Sequence, residues 1–160
     1  MSDREPDNSG NHIEVNFARP EDAAVIADFN QAMALETENK DLDHSTLLSG
    51  VTSVFENKDL GFYLVARVAG AVVGCLLVTT EWSDWRNGMF WWIQSVYVAP
   101  GSRGKGVFSA LYSHVSHEAR SRSDVCGLRL YVEKENERAR RTYLRLGMTE
   151  TDYRLLEEEF

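Results

Sequence analysis

Cysteine is scarce, basic charge is in deficit and long apolar runs are missing, and each shortage removes a class of protein. The two cysteines, Cys75 and Cys126, lie far apart in the chain and neither has a partner at metal-ligand spacing. Both are expected to be buried, reduced thiols, which suits the cytoplasm. The four histidines, His12, His44, His114 and His117, form no HExxH pattern, so no metal is expected. The most apolar stretch, residues 71–78, soon meets Glu81 and falls short of the roughly 20 residues that a membrane span needs. Residues 1–12 are polar without an apolar run and read as a loose leader, not a signal peptide. Residues 13–160 then form one domain, with 43% of the 160-residue chain hydrophobic and able to build a single core.

The charge balance is 17 Lys and Arg against 25 Asp and Glu, a net of −8, which argues against a nucleic-acid partner because phosphate neutralisation needs a basic stripe. The distribution is uneven. Between Gly101 and Arg145 ten basic residues face five acidic ones, leaving seven basic and twenty acidic residues elsewhere. A polyphosphate held by the basic segment and a cation facing the acidic remainder would account for that asymmetry, and an ordinary solvated surface would also tolerate it.

Ile13, Val15 and Phe17 alternate as a first strand, followed by the helix start Arg19-Pro20-Glu21-Asp22. Helical spacing then fills residues 21–56 as two helices or one broken helix, around an acidic linker at 36–43. Residues 62–68, 71–80 and 90–98 read as three antiparallel strands, turned at Ala69-Gly70 and Asn87-Gly88. Val107, Phe108, Leu111 and Val115 mark a helix, and Leu128, Leu130 and Val132 a fifth strand, parallel to the fourth through a right-handed crossover. Asn136 suits the cap of a further helix, which Gly147 ends, and residues 148–156 supply a last strand.

The most informative segment runs from Val96 to Leu111. A strand feeds the loop Pro100-Gly101-Ser102-Arg103-Gly104-Lys105-Gly106, which opens a helix, so unpaired N–H groups and a positive dipole end converge as a pyrophosphate requires. Gly104 and Gly106 permit unusual φ, while Arg103 and Lys105 add charge. This is not a Walker loop, because Val107 and Phe108 stand where Lys and Ser or Thr are required. Nor is it a dinucleotide fingerprint, because Ser109 replaces the third glycine and the loop follows a meander.

Arg103-Gly104-Lys105-Gly106-Val107-Phe108 resembles the Q/R-x-x-G-x-G/A cofactor loop of the GNAT acetyltransferases, departing at Phe108, which either crowds the pyrophosphate or anchors the helix in the core. Asn136 to Met148 resembles the family's N-x-x-A-x-x-x-Y-x-x-x-G-F segment, with Met148 for Phe. The resemblance spans residues 13 to about 156. It implies an α/β (α+β) fold: a mixed, mostly antiparallel sheet of six or seven strands with about four flanking helices, strands four and five parallel and splayed. It also implies acetyl-CoA as cosubstrate, its pantetheine arm along the backbone of Val96, Tyr97 and Val98 and its pyrophosphate on the amides of Arg103, Gly104, Lys105, Gly106, Val107 and Phe108. Asn136 would touch the pantetheine or cap its helix. Tyr143 would protonate the departing thiolate, unless it is only a core aromatic.

The acceptor side differs from the family pattern. Many members place a Glu on strand four as base, and here the position holds Gln94, which cannot take a proton. Glu36 and Glu38 in the linker are the candidates to recruit or deprotonate the amine, directly or through water. Trp82, Trp85, Trp91 and Trp92 either frame a cation or pack. The expected activity is N-acetylation of a small cationic primary amine. A non-catalytic acyl-CoA sensor is the alternative favoured by Gln94, and a plain interaction module is disfavoured by the paired motifs. An uncovered edge at the last strand points to a homodimer.

Overall fold

The computed structural model describes residues 12–160, so the expected leader lies, but for His12, outside the described residues. The chain divides into two compact units, one reaching Leu130 and the other running from Tyr131 to Phe160. The first holds β1 (Ile13–Phe17), α1 (Ala23–Glu38), α2 (His44–Glu56), β2 (Phe62–Val68), β3 (Ala71–Ser83), β4 (Gly88–Val98), α3 (Val107–Ser121) and β5 (Val125–Leu130). Its strands form one sheet in the order β1-β2-β3-β4-β5, antiparallel throughout except for the parallel β4–β5 pair.

Local chemistry sets the boundaries. Asn39 turns left-handed at φ 52° and ends α1, and the Asp43 side chain accepts from the Thr46 N–H to start α2, so residues 21–56 are two helices separated by a capped linker. Ala69 and Gly70 both take positive φ, 48° and 81°, the conformation that closes a two-residue hairpin between twisted strands. At the head of α1 the buried Asp22 accepts from the Arg19 N–H and from Arg67 of β2 at 2.7 and 2.8 Å, so a carboxylate taken out of water is fully partnered.

Alternation along the strands sends Tyr63, Val65, Cys75 and Tyr97 to one face, where they meet Ile26, Ala27 and Val51 of α1 and α2. Leu64, Ala66 and Leu76 point to the other face, which α3 covers with Val107, Leu111 and Val115. Gly74 lies beneath α3, where an added Cβ would stand 3.0 Å from a Val107 methyl.

The second unit contains one helix, α4 (Glu137–Arg145). The strand expected at 148–156 is not formed, so the sheet has five strands instead of six or seven. Alternation in that segment is weak, and without a ladder to join it stays irregular, with Tyr153, Leu155 and Leu156 exposed. Two smaller expectations also change. Cys126 is exposed, whereas Cys75 is buried and its thiol is pushed up to about 12 by desolvation. The fifth strand runs over Val125–Leu130, not 128–132.

Candidate functional site

The fourth strand carries an irregularity that opens a site. Ser95 takes φ 49°, rare for a residue with a side chain. Because Cys75 pairs with Tyr97 and Leu77 with Gln94, Ser95 and Val96 together face only Leu76 across the ladder, which is a β-bulge. On the other side of β4 the parallel ladder ends at Ile93 opposite Leu130. From Gln94 to Val98, β4 therefore has β3 on one side and no strand of the sheet on the other. Ala99 donates its N–H to Val73 at 2.8 Å, so alternation turns the N–H and C=O of Val98 away from β3, toward that unpaired edge.

The β4–α3 loop closes one end of this edge. A short turn at Pro100–Ser102 leads into Arg103, and Lys105 donates to the Gly101 carbonyl at 2.8 Å. Gly104 and Gly106 sit at φ 74° and 85°. An added Cβ at either would meet nothing within 4 Å, so the left-handed backbone and not crowding is what calls for glycine. Gly106 is the N-cap of α3 and has no side chain to offer, so the first-turn N–H groups from Val107 onward carry no side-chain cap. They form the positive end of a 15-residue helix with Arg103 and Lys105 just before it, a setting suited to a polyphosphate. Val107, 2% exposed, is the helix's first core anchor. Phe108 is half-buried, with its ring 6.2 Å from Tyr112.

Arg103 is tied on three sides. Its Nε donates to the Val98 carbonyl at 2.8 Å, its Nη2 donates to Glu36 Oε2 at 2.8 Å, and its guanidinium lies 5.3 Å from the centre of the Tyr97 ring. The Tyr97 hydroxyl donates to Glu36 Oε1 at 2.8 Å, so both oxygens of Glu36 are engaged. The bonds from Arg103 and then Tyr97 hold the Glu36 carboxyl below its usual range, while desolvation and then Glu36 itself push the Tyr97 phenol up. This cluster joins the end of α1, the end of β4 and the loop. Sequence reasoning named all three residues without their connection, because no spacing rule links positions 36, 97 and 103.

The other acceptor-side candidates are dispersed. Glu38 is exposed and pairs with Lys40 at 2.6 Å. Gln94 donates to the Thr79 hydroxyl at 2.6 Å. Trp91 is buried edge-on against Phe62, Trp82 and Trp85 are exposed, and the protein's own Arg129 lies 6.0 Å from the Trp92 ring. Arg129 also stacks 3.6 Å over Phe90 and pairs with Glu81. Among the described residues no group of three or more His, Cys, Asp or Glu could hold a metal, and no helix is long and apolar enough to cross a membrane.

In the second unit Asn136 caps α4 by accepting from the Ala139 N–H at 3.1 Å, and Tyr143 stands two turns further along on the same face. The helix stops at Gly147, φ 93°, where Gly147 donates to Leu144 and Met148 donates to Tyr143, the paired bonds of a Schellman motif. Arg140 is bound to Glu150 and lies 3.6 Å from Glu137.

Comparison with known proteins gives a consistent result. The sequence model of the Acetyltransferase (GNAT) family matches residues 26–148. A possible acetyltransferase from Clostridium difficile 630 is 44% identical over 92% of this chain and 97% of its own, with a TM-score of 0.87. A predicted acetyltransferase from Clostridium acetobutylicum, solved with acetyl-CoA, is 18% identical with a TM-score of 0.76, covering 92% of this chain and 96% of its own. A ribosomal-protein-alanine N-acetyltransferase from Brucella melitensis biovar Abortus 2308 is 20% identical with a TM-score of 0.75, over 93% of this chain and 99% of its own. At those lower identities the likeness is one of fold. No curated protein matches the chain.

Proposed function

Because this chain belongs to the acetyltransferase (GNAT) family and is an acyltransferase, we propose that it transfers the acetyl group of acetyl-CoA to a primary amine by direct attack in a ternary complex. The observation that carries this reading is the unpaired edge of β4 from Gln94 to Val98, ending at the uncapped N-terminus of α3. The two features fit the two chemically distinct parts of CoA. An amide-bearing pantetheine arm can add to a free strand edge, using those backbone groups of the Val96, Tyr97 and Val98 segment that face away from β3. A diphosphate matches the amides of residues 103–108, two glycines in the left-handed region and the charges of Arg103 and Lys105.

In this reading the amine lone pair attacks the acetyl carbon, the C–N bond forms and the C–S bond breaks. The thiolate takes the Tyr143 hydroxyl proton, the nitrogen made cationic by the attack gives its proton to water, and water returns a proton to the Tyr143 phenolate. An ordinary phenol, with a pKa of about 10, is protonated at neutral pH and so has a proton to give, although handing it to a thiolate whose acid lies near 8.5 is uphill by about 1.5 units and needs the phenolate to be reprotonated from water. Asn136 keeps α4 capped, and the resemblance to the family's segment implies that it would also touch the pantetheine. Gln94, bonded to Thr79, contributes polarity and no base, so the acceptor must lose its proton to a water chain or arrive neutral. The acidic surface near the α1–α2 linker, including Glu38, favours a small cationic acceptor over an acidic one. Free Cys75 and Cys126 fit a reducing compartment such as the cytoplasm, and exposed Leu155 and Leu156 are consistent with a homodimer.

The test is release of free thiol from acetyl-CoA against a panel of polyamines, diamines, amino sugars and peptide amines, with wild type beside Tyr143→Phe. Turnover on an amine that falls at least about a hundredfold in Tyr143→Phe, with acetyl-CoA still bound, supports the transferase and its acid. Gln94 favours a second reading, a non-catalytic acyl-CoA sensor, and acetyl-CoA binding without turnover on any amine would select it.

A further inference from the structure

We propose that Glu36 is a positioning residue for the cofactor loop, holding Arg103 in a preset orientation for the CoA diphosphate, and is not a contact for the amine. This rests on the acetyl-CoA reading of the α3 terminus and adds to it a residue outside the loop. The argument begins with what Arg103 has left to give. Of five guanidinium N–H donors, Nε serves the Val98 carbonyl and one Nη2 hydrogen serves Glu36. The side chain is nonetheless half exposed, so its remaining donors reach solvent three residues before the N-cap of α3. An arginine loses much rotamer freedom when it captures an anion. Here Glu36, the Val98 carbonyl and the Tyr97 face remove that freedom before a ligand arrives, which is how preorganisation raises affinity.

The same geometry disfavours a direct role in the chemistry. Each Glu36 oxygen already accepts a charge-assisted bond, one from Tyr97 and one from Arg103, so an incoming ammonium would have to share a carboxylate whose charge is already met by a guanidinium. Tyr97 completes the device, because its ring is 6% exposed and its hydroxyl fixes the carboxylate plane against which Arg103 docks. The cluster therefore ties the end of α1, which leads into the α1–α2 linker, to the loop that would grip the diphosphate.

Isothermal titration with acetyl-CoA on wild type, Glu36→Ala, Glu36→Gln, Arg103→Ala and the Glu36→Ala/Arg103→Ala double variant tests this, with melting curves as the check on folding. Glu36→Ala is expected to raise Kd for acetyl-CoA about tenfold. Glu36→Gln, which keeps an acceptor for Arg103, should recover part of the loss. The double variant should bind no more weakly than Arg103→Ala alone, because Glu36 acts through Arg103. Unchanged or tighter binding in Glu36→Ala, or losses that multiply in the double variant, would overturn the proposal while leaving the acetyl-CoA reading intact. Wild type that binds no acetyl-CoA would overturn both together.

Discussion

Gly74→Ala should destabilise the protein through one specific crowding, and the size can be worked from the structure. An added Cβ would stand 3.0 Å from the Tyr97 carbonyl oxygen, 3.0 Å from a Val107 methyl and 3.5 Å from a Leu111 methyl. Backbone and a helix in the core must both give way by a few tenths of an ångström, so a cost of about 1–3 kcal/mol is expected. For a chain of this size that lowers Tm by about 2–4 °C per kcal/mol. Val107→Ala alone removes two buried methyl groups, about 1.6 kcal/mol at roughly 0.8 kcal/mol each. In the double variant the new Cβ occupies space that the Val107 methyl vacated, so its loss should fall short of the sum by about 1 kcal/mol. Urea unfolding of the four proteins measures the coupling. Losses that add within about 0.5 kcal/mol would refute the shared-space reasoning. Since Val107 opens α3, Gly74→Ala should also weaken acetyl-CoA binding by displacing the helix terminus.

Three further outcomes follow from single features. Gly61→Ala places a Cβ 2.1 Å from the Val78 carbonyl oxygen at φ 136°, so soluble folded protein should be lost or Tm should drop by well over about 6 °C. Asn136→Ala removes the α4 cap and should cost about 1 kcal/mol by urea unfolding, whereas Asn136→Asp should retain most of it. Asp43 is held down at about 2 by bonds first from the Ser45 hydroxyl and then from Thr46, so its contribution is complete above the unfolded carboxylate value near 3.9 and fades as pH falls through about 2. Asp43→Asn, which caps without titrating, should flatten the wild-type decline in urea midpoint across that window, and an unchanged slope would remove Asp43 as its cause.

The meander, the parallel β4–β5 pair and the glycine loop were legible because each is written locally, in alternation, in two hairpin turns and in residues 103–106. Asn136 was legible for the same reason, since a cap depends on three residues downstream. The missing sixth strand was not, because residues 148–156 have a strand-like composition and pairing depends on a partner that composition does not supply. Cys126 misled through its neighbours: Gly127 is required by the Phe90 ring, 2.7 Å from where its Cβ would be, while Cys126 itself points outward on the same strand. For Phe108 the sequence left two uses open, and in the structure the smaller Val107 takes the buried core position while the phenylalanine stays half-buried. The bulge at Ser95 had no signal at all, because glycine is the residue that normally announces positive φ.

That bulge accounts for how an open strand edge is tolerated in the middle of a sheet. An unpaired edge invites pairing with another chain, and proteins blunt such edges by keeping them short, twisting them or capping them with charge. All three devices act on β4. The open stretch is only Gln94 to Val98, the bulge at Ser95 and Val96 twists it, and Arg103 covers the Val98 carbonyl with a guanidinium fixed by Glu36. Removing Arg103 should therefore expose that carbonyl as well as weaken the anion site. Arg103→Ala should self-associate more than wild type in concentration-dependent light scattering, and acetyl-CoA should suppress the difference by occupying the edge. Equal scattering of the two proteins without ligand would show that shortness and twist suffice and that the arginine serves the anion alone.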